Sequence, residues 1–351
     1  MKLTGRFCHV VRKHMAGESK RREGVHIPDN YLSPQTCAVL TAAMVPVWAI
    51  SIKKIKNELP PEKIPMMGVG AALSFLAMMF NVPLPGGTTG HAVGGTLIAL
   101  LLGPYAACIS ASAALLLQAL LFGDGGILSF GANCFNMAFV LPFVGYAVSR
   151  LFPRVIRGEK GQLIGAGIGS YAGINAAALC AAVEFGIQPY LFRDASGSPM
   201  YCPYGLNMSV PAMMAGHLTI FGLAEVVFTV AVWAFVRRTS PQMIRTAEGA
   251  HTSMALKIFL AVMIAATPLG LLAEGTAWGE WGTEEIAATG AGFTPSGMQN
   301  GIPFSALLPD YSVPGVGAAA GYILCAVIGA AVFVIAFKLI GRAASGHRMA
   351  A

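Results

Sequence analysis

The chain has 351 residues, of which 55% are hydrophobic and 11% charged, with a mean hydropathy of +0.65. A soluble domain carries roughly 25% charged residues, so soluble, disordered and fibrous proteins are excluded and a polytopic membrane protein remains. The net charge of +7 names no nucleic-acid partner, because residues 1–24 hold +5 of it and the body of the chain is close to neutral.

The pattern predicts an all-α polytopic membrane protein with about nine transmembrane helices. Apolar runs on the ~20-residue scale of a bilayer lie near 36–52, 66–81, 91–103, 105–122, 132–150, 162–186, 210–236, 256–273 and 315–337. The third run is short, either a half-helix or one fused with the fourth through Gly103-Pro104. Four connecting or terminal segments are basic. They carry Lys53, Lys54, Lys56 and Lys63; Arg150, Arg154, Arg157 and Lys160; Arg237, Arg238, Arg245 and Lys257; and Lys338, Arg342 and Arg348. All four are expected to be cytoplasmic, and they alternate correctly with nine spans. The C-terminus is then cytoplasmic and the segment before the first span lies outside. So do the 82–90, 123–131, 187–209 and 274–314 loops, the last of them acidic.

Residues 1–24 break this pattern, since the most basic stretch falls on the outer side. They lack the 7–15-residue apolar core of a signal peptide. The sequence reads best as a chain whose translation begins at Val25, a valine that a GTG start codon would turn into methionine. The expected organisation is then a mis-assigned start or basic extension over 1–24 and a metal-binding membrane domain over 25–240. A two-span region follows over 255–340, with an outer loop at 274–314.

Seven cysteines stand at 8, 37, 108, 134, 180, 202 and 325, with no CxxC spacing. They read as buried small hydrophobes, with Cys202, in a polar loop, as the exposed exception. Small residues at Ala38 and Ala42, and at Gly68 and Gly70, mark candidate close helix contacts.

Of the seven histidines, His26, His91 and His217 fall toward the outer half of the membrane. His26 lies in Val25-His-Ile-Pro-Asp-Asn-Tyr-Leu-Ser-Pro34, and His91 ends Pro83-Leu-Pro-Gly-Gly-Thr-Thr-Gly-His91. If residue 25 is terminal, its amine, the backbone nitrogen of His26 and His26 Nδ1 form fused five- and six-membered chelate rings on one metal. His91 completes a planar four-nitrogen site, which suits Ni(II) or Cu(II), admits Co(II), and excludes the oxygen-seeking Mg and Ca. Asn133, Asn136, Gln118 and Asp124 are candidates to hold a ligating imidazole by its other nitrogen, although Asp124 in a Gly turn is also ordinary turn chemistry. His217, and Glu225 on the same span, either line a path or are tied to neighbouring helices. No Walker A motif, nucleophile–base pair, HExxH or GxSxG is present, so the chain carries no ATPase or catalytic constellation.

Several motifs in order resemble the CbiM/NikM family, the substrate-binding membrane subunits of cobalt and nickel energy-coupling-factor (ECF) ABC transporters. They are Val25-His-Ile-Pro-Asp-Asn-Tyr-Leu-Ser-Pro, Pro-Gly-Gly-Thr-Thr-Gly-His91, Leu-Leu-Gly-Pro104, Gln-Ala-Leu-Leu-Phe-Gly-Asp-Gly-Gly126 and Gly-Ala-Asn-Cys-Phe-Asn-Met137. Asn30 stands where the family usually has Gly, and Cys134 where Ile or Val is common. Residues 255–340 resemble the small two-span companion subunit, here fused, through Leu-Ala-Glu-Gly-Thr-Ala-Trp-Gly-Glu-Trp281 and Leu-Pro-Asp-Tyr-Ser-Val-Pro-Gly315. The family's metal site maps onto residue 25 (as an initiator Met), His26 and His91.

The resemblance implies a multi-pass protein of a bacterial-type cytoplasmic membrane. It would bind Co(II) or Ni(II) as transported substrate on the outer side, with no organic cofactor, and deliver it for cobalamin synthesis or nickel enzymes. Its implied partners are a membrane coupling subunit and cytoplasmic ATPases. The alternative is a stand-alone secondary metal permease, which would show inverted repeats and midplane charges. No clear repeat appears.

Overall fold

The computed structural model describes residues 26–84, 88–244, 252–273, 275–283, 285–302 and 304–349. Among the described residues, helices lie over each of the apolar runs: α1 Pro34–Glu58, α2 Ile64–Met78, α3 Gly95–Leu102, α4 Pro104–Phe122, α5 Phe130–Val155, α6 Glu159–Leu191, α7 Leu206–Thr239, α8 Met254–Leu272 and α9 Ala318–Met349. Among the described residues, seven of these (α1, α4, α5, α6, α7, α8 and α9) are long and apolar enough to cross a membrane. The protein is a polytopic all-α membrane protein. Val39, Val45, Ile50 and Ile52 on α1 and Leu223 and Val227 on α7 are exposed, as lipid-facing surfaces require.

The other two helices explain the shape of the site. With 15 residues, α2 is about 22 Å long at 1.5 Å per residue, and 13 of its side chains are buried. It is the centre of the bundle. A Cβ on Gly68 would stand 2.6 Å from Phe333 O, so the missing side chain lets α2 and α9 touch. The other small-residue pair does not work this way: Ala38 and Ala42 are exposed, and α1 instead packs its Thr41 against Gly131.

The short third run is a half-helix. α3 has eight residues and stops at Gly103, whose φ of 93° and ψ of 158° belong to glycine's own region. Pro104 then opens α4 without losing a helical hydrogen bond. Gly103 lies beside Lys54 and Glu58, so α3 reaches the basic end of the bundle. The rest of that crossing is irregular backbone and a small hairpin, Val82–Leu84 against Thr88–Gly90, with Val82 paired to Gly90.

Irregular backbone at membrane depth is tolerated only where the protein satisfies its polar groups. Glu225 on α7 does so here, its carboxylate accepting from Val93 N (2.7 Å) and Gly94 N (3.0 Å) at the start of α3. Ser74 on α2 donates to Val93 O at 2.7 Å. Glu225 is therefore tied to a neighbouring element, as the cap of the half-helix, where a carboxylate also meets the positive end of the helix dipole.

Three π-helical segments interrupt the long helices, at Gln118–Phe122, Cys134–Val140 and His217–Phe221. Such bulges re-aim side chains and gather at functional sites. The second and third carry residues that line the cavity described next, Asn136 and Met137 on one and His217 and Phe221 on the other, and the first carries Gln118, whose amide donates to Asp124.

Candidate metal centre

The site forms at the end of the bundle away from the basic loops, where two short segments meet. The first is His26–Asp29, knitted to the loop that precedes α5. Ile27 O accepts from Gly126 N (3.0 Å), Ser129 Oγ (2.6 Å) and Asn133 Nδ2 (3.1 Å), while Ile27 N donates to Asn133 Oδ1 (3.0 Å). The Asp29 carboxylate accepts from Ile127 N (3.0 Å) and Leu128 N (2.7 Å). The second segment is the end of the β-hairpin, which delivers His91 just before the half-helix.

The two imidazoles face one another, their ring centroids 5.2 Å apart at 67°. His26 is 2% exposed and His91 6%. Nε2 of each ring is buried with no hydrogen-bond partner among the described residues, which is costly for a structural histidine. His91 Nδ1 stands 3.2 Å from Ala92 O. Donation to that carbonyl places the lone pair on Nε2, aimed at the cavity.

His26 Nδ1 stands 2.7 Å from Asp124 Oδ1. The sequence reading places this nitrogen on the metal. In the structure a carboxylate holds it instead, because the Gly-rich turn after α4 brings Asp124 against the ring. Gln118 Nε2 (3.1 Å) and the Tyr311 hydroxyl both donate to Asp124 Oδ2. Burial acts to raise the Asp124 carboxyl, but His26 and the Tyr311 hydroxyl overcome it and hold the group at about 2.

The remaining candidates divide. Asp124 is the residue that reaches an imidazole nitrogen, and Gln118 supports it. Asn133 grips the backbone of Ile27 rather than a ring. Asn136 lines the cavity, but its amide donates to Glu184 Oε2 at 2.8 Å. His217 lines the same cavity, with Nδ1 2.9 Å from Met213 O. Val25 lies outside the described residues. Cys202 is fully buried, not exposed, since its N–H donates to Tyr31 O in a packed loop.

The histidines open on a cavity of about 100 Å³, also bordered by Met137, Met213 and Trp278. Organic ligands need roughly 300–1,000 Å³, so the space suits an ion. Among the described residues, no three His, Cys, Asp or Glu side chains converge as a ready metal site. Two imidazoles therefore need donors other than these side chains.

Sequence reasoning missed the contribution of the C-terminal region. Trp278 N donates to Thr88 Oγ1 at 2.8 Å, and Glu280 is buried beside the cavity. Burial drives the Glu280 carboxyl well above its usual range, and the Asp124 charge adds to this. Tyr311 reaches Asp124 from the same region. The Trp-Gly-Glu-Trp281 motif and the acidity of the outer loop were the available signals.

The family model for the cobalt uptake substrate-specific transmembrane region matches residues 26–243, and that for the PDGLE domain matches residues 252–345. The chain is 49% identical over 326 residues to the probable fused nickel transport protein LarMN of Lactiplantibacillus plantarum, covering 90% of this chain and 97% of that protein. It is 46% identical to the fused nickel transport protein NikMN of Rhodobacter capsulatus, covering 90% and 96%. A crystal structure of a truncated transition metal transporter superposes with a TM-score of 0.58 at 54% identity, covering 61% of this chain and 98% of that one.

Proposed function

The chain belongs to the CbiM family of cobalt uptake substrate-specific transmembrane regions, and from that premise we propose that it is the substrate-binding membrane component of an ATP-driven uptake transporter for Ni(II) or Co(II). The observation that carries the reading is the pair of buried, facing imidazoles whose Nε2 atoms have no partner. A metal ion satisfies both, and a neutral ring is the ligating form. The names of the two fused relatives favour nickel as the cargo.

In this reading the donors are the amine of residue 25 when translation begins there, the backbone nitrogen and Nδ1 of His26, and His91. Loading turns the His26 ring so that Nδ1 leaves Asp124 for the metal. The ion enters at the end of the bundle away from the basic loops, which is the outer face of a bacterial cytoplasmic membrane. It leaves inward as a membrane coupling subunit and ATPases on other chains reorient the protein. The delivered metal supplies nickel enzymes or cobalamin synthesis.

Intact mass of the protein expressed behind its native upstream DNA tests the amine. A mass beginning with Met at position 25 supplies the ligand, and one that includes residues 1–24 removes it. Uptake of ⁶³Ni in cells with and without the ATPase partners tests the transport step, and uptake that survives their loss selects the secondary permease.

A further inference from the structure

The fused C-terminal region places one carboxylate in the wall of the metal cavity. Among the described residues lining that cavity, Glu280 is the only acid. It is 7% exposed, and its Oε2 has no hydrogen-bond partner among them. A buried carboxylate oxygen left unpaired is expensive, and a cation is the natural partner to offset it.

The placement is fixed rather than incidental. Residues 277–280 form a turn closed by Glu280 N donating to Ala277 O at 3.1 Å. The turn is pinned to the His91 hairpin through Trp278 N and Thr88 Oγ1. Trp278 packs edge-on to Trp281 at 5.5 Å and against Tyr204 at 5.7 Å. Gly279 has a φ of +85°, and a Cβ there would stand 2.7 Å from Phe185 Cε2, so the turn takes glycine in two respects. The turn therefore holds the Glu280 side chain in the wall of the cavity.

We propose that Glu280 is an entry ligand: an oxygen donor, supplied by the fused region, that takes a divalent cation at the outer wall of the cavity and passes it to the His26–His91 centre. This rests on the metal-uptake reading above. A hydrated divalent ion exchanges a water for a carboxylate oxygen more readily than for a neutral imidazole, and at Glu280 the arriving ion displaces the proton that burial favours on the carboxyl, releasing it to solvent. Glu280 does not belong to the resting coordination shell, because it does not converge with the two histidines into a three-residue cluster. Its contribution is to the rate of loading.

The test uses the purified full chain, NiCl₂ as the probe, and quenching of Trp278 and Trp281 fluorescence in stopped flow, with equilibrium affinity measured in parallel. Glu280→Gln keeps the shape and removes the ionisable oxygen, and Glu280→Asp keeps an ionisable carboxyl. Loading of Glu280→Gln is expected to be at least tenfold slower with its Kd within threefold of wild type, while Glu280→Asp loads within threefold of the wild-type rate. Three results overturn the inference alone: a Glu280→Gln rate within threefold of wild type, a Glu280→Asp chain as slow as Glu280→Gln, or a Kd weakened more than tenfold, which would place the carboxylate in the resting shell. A wild-type chain that binds no Ni(II), or a His91→Ala chain that binds it as tightly, overturns the underlying reading and the inference with it.

Discussion

Replacing His91 by alanine separates a ligand from a structural residue, because the two roles predict opposite outcomes. A structural histidine contributes hydrogen bonds that the fold loses on truncation. Here Nε2 has no partner and Nδ1 has one acceptor at 3.2 Å. Truncation removes some packing, but it also removes a buried polar atom whose burial costs about 1–3 kcal/mol. The two effects nearly offset, and stability should change by about 1 kcal/mol or less. Metal binding should fall much further. Loss of a group that merely supports a ligand costs about 10–100-fold in affinity, so loss of a direct ligand should exceed ~100-fold, about 2.7 kcal/mol. The assay is Ni(II) equilibrium dialysis beside a thermal melt in the same detergent. Unchanged Ni(II) affinity combined with a large drop in the melting temperature would refute the reasoning.

Three further substitutions probe the scaffold. Glu225→Leu strands the buried N–H groups of Val93 and Gly94 and should cost roughly 2–6 kcal/mol; Glu225→Gln keeps an oxygen acceptor and should cost less. A Glu225→Leu chain that melts like wild type would remove the cap from the account. Asn133→Ala leaves the Ile27 N–H beside His26 without its acceptor and removes one of three donors to Ile27 O; it should weaken Ni(II) binding by roughly tenfold or more, so retained affinity in dialysis would count against the clamp. Asp124→Asn tests the ring rotation. If Asp124 is only the resting partner, the affinity change stays below about tenfold; a loss as large as that of His91→Ala puts Asp124 in the loaded centre.

Hydropathy and glycine placement made the helices legible. Among the described residues, helices lie over each of the apolar runs, and Gly103-Pro104 marks the break that turns the third into a half-helix. His26 and His91 stand out because each sits in a Pro/Gly-fixed segment, and the structure brings the rings together edge to face, their centroids 5.2 Å apart. What the sequence could not show is pairing across long separations. Glu225 lies 132 residues from the Val93 N–H it accepts, and the Tyr311 hydroxyl reaches Asp124 across 187 residues. Local pattern carries no information about such contacts. Ala38 and Ala42 mislead for a related reason: small-residue spacing identifies a face that could pack closely, and only the partner helix decides whether it does. Cys202 was misjudged from polar neighbours, although its loop folds inward against Tyr31.

These long-range contacts explain how the centre is assembled. A half-helix leaves irregular backbone at membrane depth, which is unstable unless other elements satisfy it. Glu225 and Ser74 do so from two different helices, and the released hairpin is then free to carry His91 into the interior. The N-terminal segment is fixed independently, by Asn133, Ser129 and Gly126 on Ile27 O. Neither imidazole is positioned by its own helix, so their relative placement depends on α2, α5 and α7 packing correctly. The C-terminal region adds a third set of contacts, through Trp278 on Thr88 and Tyr311 on Asp124, each to an element that carries or holds one of the histidines.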